Sequence, residues 1–195
     1  TIMEWLQPEK HYVGPAWFQR TVTIPEKWEN KRLILHLERC HWETVLWIDG
    51  KRVGKRRQLA SSQEYDLTGR LESGRHILTL RIDNSMIIDV GVNAHSVTDH
   101  TQSAWNGIVG RNELQVLPEI WIDDLQVYPD VENKKVQLRI KIGNSTGKKG
   151  EGELKLKAKS FNSQSVHEVS PKTKKIKIPN KEFHTLKLNY PLGKG

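Results

Sequence analysis

Apolar and polar residues alternate through the first 83 residues with a period of two, the pattern of a β-strand with one buried face. Strands are predicted in AWFQRTVTIP (16–25), LILHL (33–37), TVLWIDGKRVG (44–54) and EYDLTGRLESGRHILTLRIDN (64–84). One face of the first segment carries Phe18, Arg20, Val22 and Ile24. Asp49-Gly50 predicts a hairpin turn, because both residues accept the positive φ of such turns. A second turn is predicted at Glu72-Ser73-Gly74.

The same alternation returns in the last third of the chain. Strands are predicted in IWIDDLQVYP (120–129), KKVQLRIKIGN (134–144), GELKLKAKS (152–160), KKIKIP (174–179) and FHTLKLNY (183–190). The inward set of the second segment is Val136, Leu138, Ile140 and Ile142. Because helical periodicity is nearly absent and turn residues recur about every ten positions, the pattern predicts two antiparallel β-sandwiches.

A shift in composition marks the boundary between these sandwiches. Residues 1–130 carry 15 Lys and Arg against 18 Asp and Glu, whereas residues 131–195 carry 16 against 5. All seven tryptophans lie at or before Trp121. We therefore predict a domain boundary within residues 118–130, where Pro118 and Pro129 would interrupt regular structure. On this basis we divide the chain into domains 1–118 and 119–195.

The overall composition excludes several classes of protein. No apolar run approaches the roughly 20 residues that span a bilayer, so no membrane partner is expected. The first ten residues show no secretory signal pattern. Cys40 is the single cysteine, which predicts a small buried apolar residue.

The net charge of +8 invites a nucleic-acid interpretation. However, Lys155, Lys157 and Lys159 alternate with apolar residues, as on the solvated face of a strand, and stacking aromatics are scarce there.

The richest chemistry lies in an irregular stretch, 84–111, before extended structure is predicted to resume at NELQVLP (112–118). A loop of this length inside a compact domain is usually functional or disordered. Its apolar residues argue against simple disorder, and its donors and acceptors, together with Trp105, suit a sugar, which offers hydroxyls and a C–H face. The polar residues are His95, Asp99, His100, Thr101, Gln102 and Asn106. Alternatively, Trp105 packs into one end of the sandwich, and the polar side chains form hydrogen bonds with backbone groups of the loop.

Other chemistries have weaker support. His95 and His100 lack a third ligand at a convincing spacing, so no metal site is predicted. No Gly-rich phosphate-binding loop is predicted between a strand and a helix. The sequence around Ser103 does not indicate a nucleophilic serine. Asn144-Ser145-Thr146 fits the N-glycosylation pattern, which also arises by chance.

These segments, in this order, resemble the N-terminal sugar-binding domain of glycoside hydrolase family 2. The resemblance covers roughly residues 10–118 and is strongest in WIDGKRVG (47–54), in YDLT (65–68) with Gly74 after it, and in WNGIVGR (105–111). Residues 119–195 resemble the family's second domain. The resemblance implies an all-β chain: a jelly-roll-like antiparallel β-sandwich followed by an immunoglobulin-like β-sandwich. Residues 189–195 resemble the turn before the last strand, so we expect that strand to be missing.

The resemblance also implies a function. In the family, a TIM barrel with two catalytic glutamates follows these sandwiches. No residue here matches either glutamate, so we expect no catalytic residue and no cofactor in this chain. The expected partners are a carbohydrate substrate, a β-glycoside, bound by the full-length enzyme, and the enzyme's own C-terminal barrel; a homo-oligomer is possible. The resemblance favours a periplasmic or secreted bacterial enzyme.

Candidate sugar-binding residues follow from the same resemblance. The family loop before the Trp/Gly-Ile element helps to build the sugar pocket, and the matching residues here are Asp99, His100, Gln102, Trp105 and Asn106. Tyr12 lies at a position from which another contact to the sugar is made in the family. Ser103 replaces an acid that contacts substrate and a sodium ion in β-galactosidases of the family, so no ion site is carried over. A stand-alone carbohydrate-binding module, and a sandwich whose basic half binds an acidic partner, remain as alternatives.

Overall fold

Among the residues that the structure describes, almost all regular structure is antiparallel β-sheet, together with one short 3-10 helix at Glu26–Trp28. The computed structural model describes residues 12–94, 107–161, 164–180 and 182–193, and none of these segments forms a helix long and apolar enough to cross a membrane. The chain divides into two compact units between Leu117 and Pro118.

The first unit is a sandwich of a four-stranded and a three-stranded sheet. Its strands are β1 (Pro15–Ile24), β2 (Arg32–His41), β3 (Glu43–Ile48), β4 (Lys51–Arg57), β5 (Gln63–Asp66), β6 (Gly74–Asp83) and β7 (Gly107–Leu117). The strand orders are β1-β6-β3-β4 and β5-β2-β7. One apolar core lies between the sheets, with Leu37, Leu46 and Leu67 fully buried at its centre. The β-sandwich fold predicted from the sequence is confirmed.

The hairpin predicted at Asp49-Gly50 joins β3 to β4. Asp49 has a φ of 49° and Gly50 a φ of 76°, so both residues use the left-handed region. The Asp49 carboxylate also accepts hydrogen bonds from the backbone N–H of Ile77 at 2.7 Å and from the ring of His76 at 2.7 Å. The bond from His76 lowers the pKa of Asp49 and raises the pKa of His76. The turn is therefore fixed both by its own chemistry and by β6.

The second unit is a smaller sandwich. Its strands are β8 (Ile120–Asp130), β9 (Lys135–Asn144), β10 (Gly150–Lys159), β11 (Glu168–Ile178) and β12 (Phe183–Pro191). The strand orders are β12-β9-β8 and β10-β11. The inward set predicted for β9 is confirmed, because Leu138, Ile140 and Ile142 are all buried in a single core. The lysines of β10 are exposed, as expected for a solvated strand face.

Two predictions of element boundaries are wrong. Extended structure resumes at Gly107, five residues earlier than predicted, because Gly107 and Gly110 both belong to β7. Pro129 lies inside β8 and does not mark the domain boundary. A proline is tolerated there because β8 is the edge strand of its sheet.

The face predicted for β1 is only partly buried. Phe18, Val22 and Ile24 pair with Leu80, His76 and Gly74 of β6. Ile24 is buried and Val22 half-buried, but Phe18 is 40% exposed, because β1 is the edge of its sheet and β7 is the edge of the other. The two edges leave a cleft of about 600 Å³ between the sheets.

Candidate functional site

Of the six predicted sugar-binding residues, Tyr12 is the one that the structure describes. Asp99, His100, Gln102, Trp105 and Asn106 lie outside the described residues, as do His95 and Ser103. The Tyr12 side chain is 56% exposed, and its hydroxyl donates a hydrogen bond of 2.6 Å to the carbonyl oxygen of Pro15. The ring is thus held in place at the start of β1 with most of its surface open to solvent.

The side-chain amide of Asn84 ties the segment around Tyr12 to the end of β6. Its Nδ2 donates to the carbonyl oxygen of Tyr12 at 2.7 Å. Its Oδ1 accepts from the backbone N–H of Gly14 at 2.8 Å. Asn84 is also the first residue of the irregular stretch. Sequence reasoning did not identify this residue, since its role depends on a partner 70 residues away in the chain.

The connection between β2 and β3 brings the two ends of the irregular stretch together. The backbone N–H of Trp42 donates to the carbonyl oxygen of Asp83 at 2.9 Å, next to Asn84. The neighbouring His41 pairs with Gly107, the first residue of β7. Tyr12, the start of the irregular stretch and its end at Gly107 therefore lie at one end of the first sandwich.

A buried polar network stabilises that end of the sandwich. Gln63 is fully buried, and its Nε2 donates to the carbonyl oxygens of Cys40, Trp42 and Gln58 at 3.0–3.2 Å. Thr44 donates to Gln63 Oε1, and its hydroxyl also lies 2.7 Å from the Tyr65 hydroxyl. Because each of these groups is satisfied, the network can hold the β2–β3 connection in one geometry.

A bulge interrupts the pairing of β7 with β2 near the start of β7. The pairing of β2 with β7 shifts register between Leu37 and Arg39, opposite Gly110, whose φ is 79°. Glu38 fills the space beside this glycine and accepts a hydrogen bond of 3.0 Å from the backbone N–H of Arg111. That bond and a second one from the Arg111 side chain lower the pKa of Glu38. Gly110 thus forms part of a bulge within a strand.

Cys40 has the structural role predicted for it. The residue is fully buried, and burial raises the pKa of its thiol to about 11. At neutral pH the sulfur is protonated, so it is a poor nucleophile and a poor metal ligand. Within the described ranges, no three His, Cys, Asp or Glu side chains are grouped to hold a metal ion.

Asn144 of the N-glycosylation pattern is a structural residue in this fold. Its side chain is buried, and Nδ2 donates to the carbonyl oxygens of Lys148 at 2.8 Å and Pro179 at 3.1 Å. Its Oδ1 accepts from Thr146. One amide bond closes the turn that follows β9 and the other joins the end of β9 to the residue after β11, so the Asn144 side chain has a structural role.

An aromatic pair missed by sequence reasoning lies on the outer face of the four-stranded sheet. Trp17 of β1 and Trp47 of β3 lie across β6 with ring centroids 5.2 Å apart. Trp17 is 60% exposed. Below it, Gln19 donates a hydrogen bond of 3.0 Å to Thr79, and Thr21 and Thr23 continue the same face of β1. The face of β1 therefore combines one open aromatic ring with uncharged polar groups.

Four charged residues of this face form a separate cluster around Glu43. Its carboxylate lies 3.3 Å from Lys55, 2.5 Å from Arg57 and 3.5 Å from Arg81. Burial alone would raise the pKa of Glu43, but the hydrogen bonds from Arg57 and Lys55 outweigh it and lower the pKa. The cluster joins three strands, which indicates a structural role.

Comparison with known proteins relates the chain to glycosidases. No protein-family model matches the sequence. The β-glucuronidase of Rattus norvegicus is 24% identical over 83 residues, covering 40% of this chain and 13% of the rat protein. A Bacteroides uniformis β-glucuronidase structure aligns with a TM-score of 0.72 and 18% identity, over 92% of this chain and 22% of that one. A glycosyl hydrolase family 2 member from Bacteroides cellulosilyticus DSM 14838 aligns with a TM-score of 0.66 and 16% identity, over 90% of this chain and 23% of that one.

The chain therefore has the β-sandwich fold found in glycoside hydrolases of family 2, and the resemblance predicted from the sequence is confirmed at this level. The matches span 7–13% of the length of the curated relatives and 21–33% of the solved chains. The similarity is thus to a part of these glycosidases and not to the whole of any of them.

Proposed function

We propose that this chain is the non-catalytic N-terminal part of a retaining family 2 glycoside hydrolase, in which the first sandwich forms one wall of the sugar pocket of a TIM-barrel domain. The observation that carries the proposal is the extent of the structural match, which takes in more than nine-tenths of this chain and about a fifth of the β-glucuronidase chain. The matched relatives are named as β-glucuronidases, so a β-glycoside is the proposed substrate class.

The placement of Tyr12, Asn84 and Gly107 supports the proposed position of the pocket wall. Asn84, at the start of the irregular stretch, bonds to the backbone carbonyl of Tyr12. Gly107, at its end, pairs with His41 in the β2–β3 connection that also bonds to Asp83. We infer that Trp105 stacks on the C–H face of the sugar and that polar side chains between the two anchors bind its hydroxyls. Those side chains are Asp99, His100, Gln102 and Asn106. The barrel and a second copy of the enzyme are the proposed protein partners.

Activity measurements test this proposal directly. We expect the 195-residue chain to show no turnover of 4-nitrophenyl β-glucuronide or β-galactoside, and the full-length protein to hydrolyse one of them. In the full-length protein, Trp105→Ala should raise KM roughly tenfold, since a lost stacking contact of this kind is worth about 1 kcal/mol or slightly more. Trp17→Ala is the matched control and should leave KM unchanged. Turnover by the 195-residue chain alone would refute the proposal.

A stand-alone carbohydrate-binding module is the second candidate function. The exposed Trp17 ring favours it, because the ring lies on a face of β1 that continues with uncharged hydroxyl and amide groups. A module of this kind binds sugar without a barrel. Titration of the 195-residue chain with oligosaccharides, followed by tryptophan fluorescence, should then show saturation that Trp17→Ala or Trp105→Ala abolishes. If neither substitution changes the saturation, or if the unsubstituted chain does not saturate at millimolar sugar, this candidate is excluded.

A further inference from the structure

The ring of His76 joins two connections at one end of the first unit. His76 lies near the start of β6, and its Nδ1 is 2.7 Å from Oδ2 of Asp49 in the β3–β4 turn. Its Nε2 is 3.0 Å from the backbone carbonyl oxygen of Glu72, in the connection that precedes β6. The His76 side chain is 16% exposed, so water competes little for either contact.

The chemistry of these two partners fixes the protonation state of the ring. A carbonyl oxygen carries no proton and can only accept a hydrogen bond. The Asp49 carboxylate is also an acceptor, since its Oδ1 takes a hydrogen bond of 2.7 Å from the backbone N–H of Ile77. A neutral imidazole has one N–H and one lone pair, so it would turn that lone pair towards one of the two oxygens. Both contacts are hydrogen bonds only when the ring carries two N–H groups and is an imidazolium cation.

The acidic groups around the ring favour this cation. The hydrogen bond to Asp49 is the largest cause of the raised pKa of His76; burial opposes it, and the bond to the Glu72 carbonyl adds to it. The charges of the Asp49 and Glu72 carboxylates raise the pKa of His76 further. The protonated ring is therefore stabilised by the same two residues that it joins.

The strands on either side of the ring contribute uncharged or basic groups. On β1, Val22 lies directly across from His76, and Arg20 is the nearest charged residue on the same face of that strand. Lys51 of β4 acts on Asp49 and helps to lower its pKa, which keeps the carboxylate ionised. The negative charge that stabilises the cation thus comes from Asp49 and Glu72.

Loss of one ring proton breaks one of the two bonds. The remaining proton stays on Nδ1, because a hydrogen bond to a carboxylate is stronger than one to a neutral carbonyl oxygen. Nε2 then presents a lone pair to the carbonyl oxygen of Glu72, and the two atoms repel each other. The β3–β4 turn stays attached to β6 through Ile77, whereas the connection before β6 loses its link to the ring.

We propose that His76 is a pH-dependent clasp, which as an imidazolium ties the β5–β6 connection (residues 67–73) to the β3–β4 turn and on deprotonation releases that connection. The clasp lies at the start of β6, whereas Asp83, beside the candidate pocket wall, lies at its end. The proposal concerns the first unit by itself and does not rest on the proposed function.

The pH range of the clasp follows from its two titrating groups. The pKa of His76 is raised from its ordinary 6.5, so its contribution to stability is fully present below pH 6.5 and is lost as the pH rises through the raised value. The pKa of Asp49 is lowered from its ordinary 3.8, chiefly by the bond with His76. Its contribution is present above pH 3.8 and is lost as the pH falls through the lowered value. The clasp is therefore strongest between pH 3.8 and 6.5.

Nitrogen NMR of the unsubstituted 195-residue chain tests the protonation state directly. We expect both ring nitrogens of His76 to be protonated below pH 6.5, a titration midpoint above that value, and loss of the proton from Nε2. Asp49→Asn keeps a residue that suits the turn and should lower the midpoint. Glu72→Gln keeps the backbone carbonyl and should lower the midpoint less. A midpoint at or below pH 6.5, or loss of the proton from Nδ1, would overturn the proposal.

Hydrogen exchange tests the release of the β5–β6 connection. The backbone N–H of Arg70, which bonds to the carbonyl oxygen of Leu67 at 2.9 Å, reports on this segment. Below the midpoint, His76→Gln should exchange this amide about tenfold faster than the unsubstituted chain, since it lacks a charged hydrogen bond. Above the midpoint the two rates should converge. His184→Gln, in the second unit, is the matched control and should leave the Arg70 rate unchanged. A ratio of rates that does not vary with pH would show that His76 holds the connection without acting as a pH-dependent clasp.

Discussion

Gly143→Ala is expected to destabilise the second unit by about 2–3 kcal/mol, although alanine usually suits the interior of a strand better than glycine does. The Trp121 indole lies flat over Gly143 on the neighbouring strand. A Cβ at position 143 would be 2.2 Å from a ring carbon of Trp121. The indole would have to leave, and it would lose its edge contact with Phe183 and its hydrogen bond to Asp123. Urea unfolding of the second unit followed by far-UV circular dichroism measures the change, because this signal does not depend on Trp121.

Gly152→Ala is the matched control for this substitution. Gly152 also lies within a strand of the second unit, and a Cβ there would meet the Ile178 and Ile176 side chains at 3.6 and 3.9 Å, which is ordinary contact. Its effect should stay within about 0.5 kcal/mol. In the Trp121→Ala background, Gly143→Ala should lose most of its effect, because the clashing ring is gone. Equal destabilisation with and without Trp121 would show that the ring is not the cause.

The sequence was sufficient to predict features that depend on local pattern. Alternation in β9 identified its buried face because each side chain of a strand points to the side opposite its neighbours. Asp49-Gly50 identified a hairpin because few other residues accept both required φ angles. The early start of β7 was missed because Gly107 and Gly110 weaken a strand pattern, and only the pairing with β2 shows that Gly107 begins the strand and that Gly110 lies at a bulge.

The candidate site was less accessible to sequence reasoning. Asn84, Gln63 and the Trp17–Trp47 pair act through partners distant in the chain, so no local spacing identifies them. Gln63 lies two residues from Tyr65 on the same face of β5, which is the one local signal that it points into the core. Tyr12 could be placed from the resemblance alone, and its role in sugar binding stays a prediction.

Gln63→Leu is expected to destabilise the first unit by about 3 kcal/mol, the largest effect of a polar substitution in that sandwich. Leucine fills a similar volume but donates no hydrogen bond. The carbonyl oxygens of Cys40, Trp42 and Gln58 would lose their side-chain donor, and the Thr44 hydroxyl would lose an acceptor. Burial of unsatisfied polar groups costs about 1–3 kcal/mol for each group left without a partner, and local relaxation recovers part of the total.

Gln19→Leu is the matched control, since Gln19 belongs to the same unit, is exposed and, among the described residues, bonds to Thr79. Its effect should remain below about 0.5 kcal/mol. Because the Gln63 network holds the connection that links Asp83 to Gly107, the variant should also accelerate hydrogen exchange at the Trp42 amide well before global unfolding. Stability could fall while the Trp42 amide still exchanges only through global unfolding. In that case the network stabilises the core but does not fix the end of the sandwich. The network would then give no support to the proposed pocket wall.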